Sequence, residues 1–310
     1  KPSLIALAVA AALSAPVHAA TGNVEFYGVF DASLNLVDHD TSGVENELQF
    51  ASNTSRLGLR GAEELGGGVA ALWQYETGLA IDAGQGFGSA NAIDTYATFR
   101  DYRLATQSGA RDVFLGLSSK TLGTLKVGRL NTAYKNSTNG YDVFKDGLGD
   151  YNSIMGAVEA RGEIFNARES NSVAYESPQF EGVSAAVSYG QRNEAGVLAL
   201  DRQLWSVALK YENGPVTAVA AYEKHDDGFA AGVEDDAWKV GASYLFGDTR
   251  IAAIYERITL GDVFGATGDT ERDAWYVGIT HRAGKVTLKA AYARADDSEN
   301  DHNNGNEHKL

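Results

Sequence analysis

From Asn23 onward the chain alternates with a period of two, residue after residue, which confines it to β-strands with one apolar and one polar face. Over residues 23–37, Val24, Phe26, Gly28, Phe30, Ala32, Leu34 and Leu36 share one parity, and Glu25, Tyr27, Asp31, Ser33 and Asn35 share the other, as a single first strand would. The split recurs where Trp205, Val207, Leu209 and Tyr211 alternate with Ser206, Ala208, Lys210 and Glu212. It recurs again with Trp238, Val240, Ala242, Tyr244 and Phe246 against Lys239, Gly241 and Ser243, and with Val286, Leu288, Ala290 and Tyr292 against Lys285, Thr287 and Lys289. A charge facing lipid at mid-bilayer costs about 2–4 kcal/mol, and the apolar parities carry almost none.

A soluble β-sandwich also alternates, so the connections have to separate the two readings. Short turns fall at Leu65-Gly66-Gly67-Gly68, Thr121-Leu122-Gly123, Phe180-Glu181-Gly182, Glu212-Asn213-Gly214-Pro215, Phe246-Gly247-Asp248 and Arg282-Ala283-Gly284. Between them lie long polar loops at about 38–54, 79–110, 130–167, 190–202, 225–236, 258–272 and 294–306. Short turns at one end and long loops at the other are the layout of an antiparallel transmembrane β-barrel, all-β in class. The 35 glycines and only 4 prolines suit many strands joined by tight turns. Aromatic residues at the strand ends, among them Trp73, Tyr75, Tyr222 and Tyr255, fit interfacial girdles.

The first nineteen residues read as a signal peptide. Lys1 precedes an apolar run at 4–15, then Pro16 and the small-residue site Val17-His18-Ala19, with cleavage expected after Ala19. The run is shorter than the roughly 20 residues that span a bilayer. No later segment reads as a transmembrane helix, so 20–310 is expected to form the barrel. Thirteen strands are countable, and Glu307-His308-Lys309-Leu310 reads as the start of a fourteenth. Because an open edge in hydrocarbon leaves backbone groups unpaired, further C-terminal strands are expected beyond Leu310.

Several segments resemble the general, non-specific porins of the Gram-negative bacterial outer membrane. These are Asn23-Val24-Glu25-Phe26-Tyr27-Gly28; Ser55-Arg56-Leu57-Gly58-Leu59-Arg60-Gly61 with Glu63-Glu64-Leu65-Gly66 and Gln74-Tyr75-Glu76; Phe114-Leu115-Gly116-Leu117 with Gly123-Thr124-Leu125-Lys126-Val127-Gly128-Arg129; and Asn171-Ser172-Val173-Ala174-Tyr175-Glu176-Ser177-Pro178. The resemblance implies 16 strands in the full-length protein, a homotrimer, and a third extracellular loop folded inward to narrow a channel. It also implies contact with outer-membrane lipid and lipopolysaccharide, and passage of ions and small hydrophilic solutes. Leu310 departs from the aromatic end usual in that family, as a truncated chain would. Val29 replaces a basic residue often found beyond Tyr27-Gly28, which implies a weaker basic ladder.

The loop from about Thr132 to Ala167 stands where such a constriction loop belongs. It carries Asp142, Asp146, Asp150, Glu159 and Glu163 as candidate constriction acids. Arg56, Arg60, Arg111 and Arg168 are the candidate basic wall. Acids on a loop facing arginines on a wall would set a transverse field across a narrow wet gap, filtering solutes without holding them. Net charge of -15 leans toward cations and excludes a phosphate-binding surface for nucleic acid.

Other classes find less support. With no Cys there is no thiolate chemistry, and no Ser motif partners any of the six His, so no enzyme and no cofactor is expected. The acidic run Asp296-Asp297-Ser298-Glu299-Asn300-Asp301 does not follow the EF-hand ligand order, so no metal site is assigned. A substrate-specific outer-membrane channel and a plugged barrel acting as adhesin or scaffold remain the alternatives, the latter separable by conductance.

Overall fold

The computed structural model describes residues 23–37, 47–79, 81, 110–147, 149–158, 163–193, 201–227, 230–262, 268–296 and 308–309. The expected signal peptide at 1–19, Glu159, residues 297–301 of the acidic run and most of the 79–110 loop lie outside the described residues.

Strands follow in chain order as β1 (Asn23–Val29), β2 (Ala32–Val37), β3 (Glu47–Ser52), β4 (Arg56–Gly66), β5 (Val69–Gly78), β6 (Ala110–Ser119) and β7 (Gly123–Asn131). A short helix α1 (Ala133–Thr138), a 3-10 turn (Tyr151–Ser153) and the small strands β8 (Ala157–Val158) and β9 (Glu163–Ile164) fill the next connection. Then come β10 (Arg168–Glu176), β11 (Val183–Asn193), β12 (Asp201–Asn213), β13 (Val216–Asp226), β14 (Glu234–Phe246), β15 (Thr249–Leu260), β16 (Thr270–Ala283), β17 (Val286–Ala295) and β18 (His308–Lys309). One antiparallel sheet runs β1-β4-β5-β6-β7-β10 and on through β18, each strand beside its predecessor in that list. It holds the thirteen expected strands and, in β18, the start of a fourteenth. No helix among the described residues is long and apolar enough to cross a membrane, which leaves strand crossing untouched.

The expected first strand at 23–37 is two strands. β1 pairs with β4, whereas β2 pairs with β3 in a separate two-stranded sheet. The break comes at Phe30 and Asp31, because the Asp31 amide donates to Ser55 Oγ (3.0 Å) and its carbonyl accepts from Asn53 N and Ser55 Oγ (both 2.8 Å). Side-chain bonds take the place of ladder bonds there and let the chain leave the sheet.

The large sheet must curl. β4 and β16 are ten steps apart in its order, about 48 Å if flat at the usual strand spacing. Yet Tyr276 of β16 donates its hydroxyl to Asp142 (3.4 Å), and Arg56 of β4 reaches Asp146 (3.3 Å), only four residues further along one loop. Four residues extend about 14 Å at most, so the two distant strands face each other across an interior.

Alternation sorts the two faces as expected. On β14, Trp238, Val240, Ala242 and Tyr244 are exposed, while Asp235, Ala237, Lys239 and Ser243 are buried. Outward rings pair around the rim, Trp205 with Tyr222 (5.2 Å), Trp238 with Tyr255 (5.1 Å) and Tyr255 with Trp275 (4.3 Å). The core therefore lies on the polar-parity side, between the sheet and the 132–167 segment. Tyr141, Tyr151, Ile154 and Met155 of that segment pack on Val219, Ala252, Ile254, Ala274, Tyr276, Ala293 and Ala295. Nearer its start and end, Ala133, Tyr134 and Phe165 pack on Ala208, Ala221, Ala237, Ile258 and Leu260.

Candidate functional site

The site is the 132–167 segment and the strands it lies against. Its seat begins where β7 ends. Thr132 caps α1 by accepting from Lys135 N (3.1 Å), and the helix's next free amides find partners on the sheet. Ala133 N donates to Ser188 Oγ (2.9 Å) and Tyr134 N to Ser206 Oγ (3.0 Å), so serines on the polar parity of β11 and β12 complete the first helical turn. Further along, Tyr276 Oη accepts from Val143 N (2.9 Å), and Arg272 donates to the carbonyls of Ile154 (2.9 Å) and Ala157. Gly156 has φ +72, and a Cβ there would meet Asn166 at 2.7 Å, so only glycine fits the turn that folds the segment back.

The predicted acids take different places. Asp146 (φ +66) meets Arg56, pairing a predicted loop acid with a predicted wall arginine. Asp150 caps the 3-10 turn by accepting from Asn152 N (2.8 Å) and also accepts from Asp146 N (3.3 Å). Asp142 is buried and accepts from Phe144 N (3.0 Å), Tyr151 N (3.3 Å) and Tyr276 Oη, which makes it part of the seat. Glu163 lies in β9, opposite Val158.

The arginines are partnered mainly by acids of the sheet itself. Glu76 on β5 is buried between Arg111 (2.6 Å) and Arg56 (3.7 Å), and it accepts from Tyr27 Oη (2.8 Å). A β-bulge makes this possible, because Tyr75 faces Val113 while Thr77 faces Ala110, leaving Arg111 and Asp112 opposite the single Glu76. Arg168 donates to Asp112 (2.6 Å), and Arg60 makes a two-pronged bond with Glu25 (both 2.8 Å), an exposed pair directly opposite in the β1–β4 register. Lys135 lies near Arg168 and Arg111, and burial first, then those two cations, pull its ammonium down to about 8. The result is a close mosaic of Arg56, Arg111, Arg168 and Lys135 with Glu76, Asp112, Asp146 and Asp150.

Sequence reading missed Glu76, Asp112 and Glu25 as partners. Parity marked Glu25 as polar and Glu76 stood in one of the motifs of the resemblance, but nothing local said which arginine either would meet. Among the described residues, no group of three or more His, Asp or Glu could hold a metal ion.

Burial, and then the neighbouring Asp150, push the Asp142 carboxyl up to about 6. The seated segment therefore binds that proton more tightly than a released one does. The seat is firmest below the ordinary carboxylate range and weakens as pH rises through about 6. Between pH 5 and pH 7 the seat's opening constant is expected to rise about tenfold, read as hydrogen exchange of the 141–151 amides corrected for intrinsic rate. Asp142→Asn, fixed neutral, should flatten the profile; a flat wild-type profile refutes the assignment.

A curled antiparallel sheet with an apolar outer face and an interior segment defines an outer-membrane β-barrel. The family described as Gram-negative porin matches residues 6–310, and the chain belongs to that family. Major outer membrane protein P.IB of Neisseria gonorrhoeae is 31% identical over 219 residues, 69% of this chain and 54% of that protein. Outer membrane porin protein 32 of Delftia acidovorans is 30% identical over 224 residues, 70% of this chain and 58% of that protein. The chain thus spans little more than half the length of these curated relatives. Among solved structures, the anion-selective porin from Comamonas acidovorans has the same fold, with a TM-score of 0.70, 23% identity and coverage of 89% of this chain and 79% of that one. OmpT of Vibrio cholerae in its trimer form has a TM-score of 0.50 at 16% identity, covering 89% of each chain. The chain is that of an outer-membrane porin.

Proposed function

We propose that the protein forms a passive, water-filled diffusion channel for ions and small hydrophilic solutes, narrowed by the 132–167 segment. The observation that carries this reading is the Arg56–Asp146 contact, which joins the segment to the far side of a curled sheet whose other wall it already touches through Tyr276. Charges of both signs stand within contact distance around it, as a field acting across a narrow gap requires. Screening acts over about 8 Å at physiological salt, so these charges should govern selectivity more than the loop tips do. The same reading has a signal peptide at 1–19, homotrimers in the outer membrane and lipopolysaccharide around the outer face. The fold neighbour from Vibrio cholerae described as a trimer supports the assembly.

The test is single-channel conductance of the refolded protein in a planar bilayer, with the reversal potential under a salt gradient. Stepwise ohmic currents are expected, and Asp146→Asn with Asp150→Asn should move the reversal potential toward anions. A well-folded barrel without conductance would sink the channel and favour a plugged scaffold.

A further inference from the structure

Three buried ionisable side chains stand under the segment, on adjacent strands. Glu223 on β13 and Glu256 on β15 are fully buried, and Lys239 on β14 is 1% exposed. Lys239 lies directly across from Glu256 in the β14–β15 register. In the β13–β14 register it faces Ala221 while Glu223 faces Ala237, so Glu223 sits on its diagonal. One buried cation is thus flanked by a carboxylate on each side. Isolated charges at such depth are prohibitive, and a row of alternating sign with hydrogen bonds on every member is the arrangement that makes burial tolerable.

Each member also grips the segment or its close support. Glu256 accepts from Tyr134 Oη (2.8 Å) and, through its other oxygen, from Gly156 N. Lys239 donates to Asn166 Oδ1 (2.8 Å), and its ammonium lies 3.8 Å from the centre of the Tyr134 ring. Glu223 binds His225 (2.9 Å), whose ring stacks on Phe165 at 4.4 Å. Residues 134, 156, 165 and 166 span the segment from its start to its end. A row on three neighbouring strands therefore ties down both limbs.

We propose that Lys239, flanked by Glu223 and Glu256, is a charge lock that seats the 132–167 segment and so sets the open width of the pore. The effect on width rests on the reading of that segment as the constriction; the seating does not. Lys239 is a positioning residue, since it acts on solutes only through the segment. Without it, two buried carboxylates face each other with no cation between them, and Tyr134 and Asn166 each lose a contact.

Hydrogen–deuterium exchange and single-channel conductance, on the same refolded protein, separate the two claims. In Lys239→Met, the Tyr134 and Gly156 amides should exchange about 100-fold faster while the amides of β12–β16 stay protected. Conductance should rise and become noisier. Lys239→Met combined with Glu223→Gln and Glu256→Gln removes the unpaired charges and should return exchange to within about tenfold of wild type. Lys224→Met, on the outward parity of β13, should change neither readout. Unchanged exchange in Lys239→Met overturns the lock, as does faster exchange that the triple variant fails to correct. If Lys239→Met does not fold, a folded and protected triple variant supports the lock and an unfolded or unprotected one overturns it. A segment that loosens with no change in conductance keeps the lock and removes the constriction.

Discussion

Val240→Arg is expected to lower the unfolding free energy of the barrel by about 2–4 kcal/mol, as for a guanidinium placed near mid-bilayer. Val240 is 44% exposed on the outward parity of β14, between Trp238 and Tyr244 on the same face. Its cross-strand neighbours are Ala220 and Tyr255, so no acid stands beside it to pair with a new cation. Hydrocarbon supplies no water to solvate the charge, and the guanidinium must snorkel or thin the bilayer. Thr287→Arg, on the polar parity of β17 with Lys289 two residues away, should change stability by no more than about 0.5 kcal/mol. Urea titration in lipid vesicles measures both. Equal costs would mean that the outward face is not a lipid face.

Gly128→Ala should destabilise the fold by about 3 kcal/mol, through backbone strain and overpacking together. Gly128 has φ +145, and a Cβ built there would stand 2.2 Å from the Val113 carbonyl and 2.9 Å from Phe114 Cα. Those atoms are backbone of the neighbouring strand and cannot turn aside as a side chain would. Nearby, the β7–β10 register shifts between Glu169 and Ser172, and Ser172 Oγ donates to the Gly128 carbonyl (3.0 Å). A push at Gly128 is thus passed to the strand that carries Arg168. Gly140→Ala is the control, because nothing lies within 4 Å of its Cβ position and its φ is ordinary. Loss of the heat-resistant folded band in Gly128→Ala but not in Gly140→Ala is the expected result; equal behaviour would remove the strain argument.

Much of the architecture was legible along the chain. Alternation at Trp238, Val240, Ala242 and Tyr244 marked the outer face of β14, and the same pattern marked Lys239 and Ser243 as inner. Glycine turns located the hairpins; Gly214, Gly247 and Gly284, for example, have φ between +56 and +62. The start of a fourteenth strand at the chain's end was legible as well. The break after Val29 was not, because Phe30 and Asp31 keep the parity, and only the bonds of Asp31 to Asn53 and Ser55 turn the chain out of the sheet.

For the candidate site, the chain offered acids and arginines by position and motif but not their pairing. Arg56 and Asp146 were both on the expected lists and do meet. Asp142 ties the segment to itself and to Tyr276, a pairing that no motif in the chain announces. Arg111 shares the parity of outward Val113, and only the bulge opposite Glu76 re-aims it.

By itself the sequence determined the strand class, the two-faced sheet, the sorting of short and long connections and the family, because each is a local period or motif that survives without knowledge of distant partners. Only the tertiary structure decided that β4 and β16 face each other, that Glu76 lies between two arginines, and that Lys239 stands between Glu223 and Glu256 beneath Tyr134. Such pairings join residues tens to more than a hundred positions apart. They arise when the sheet curls and the segment from 132 to 167 takes its seat, and no period in the chain encodes which buried charge will meet which.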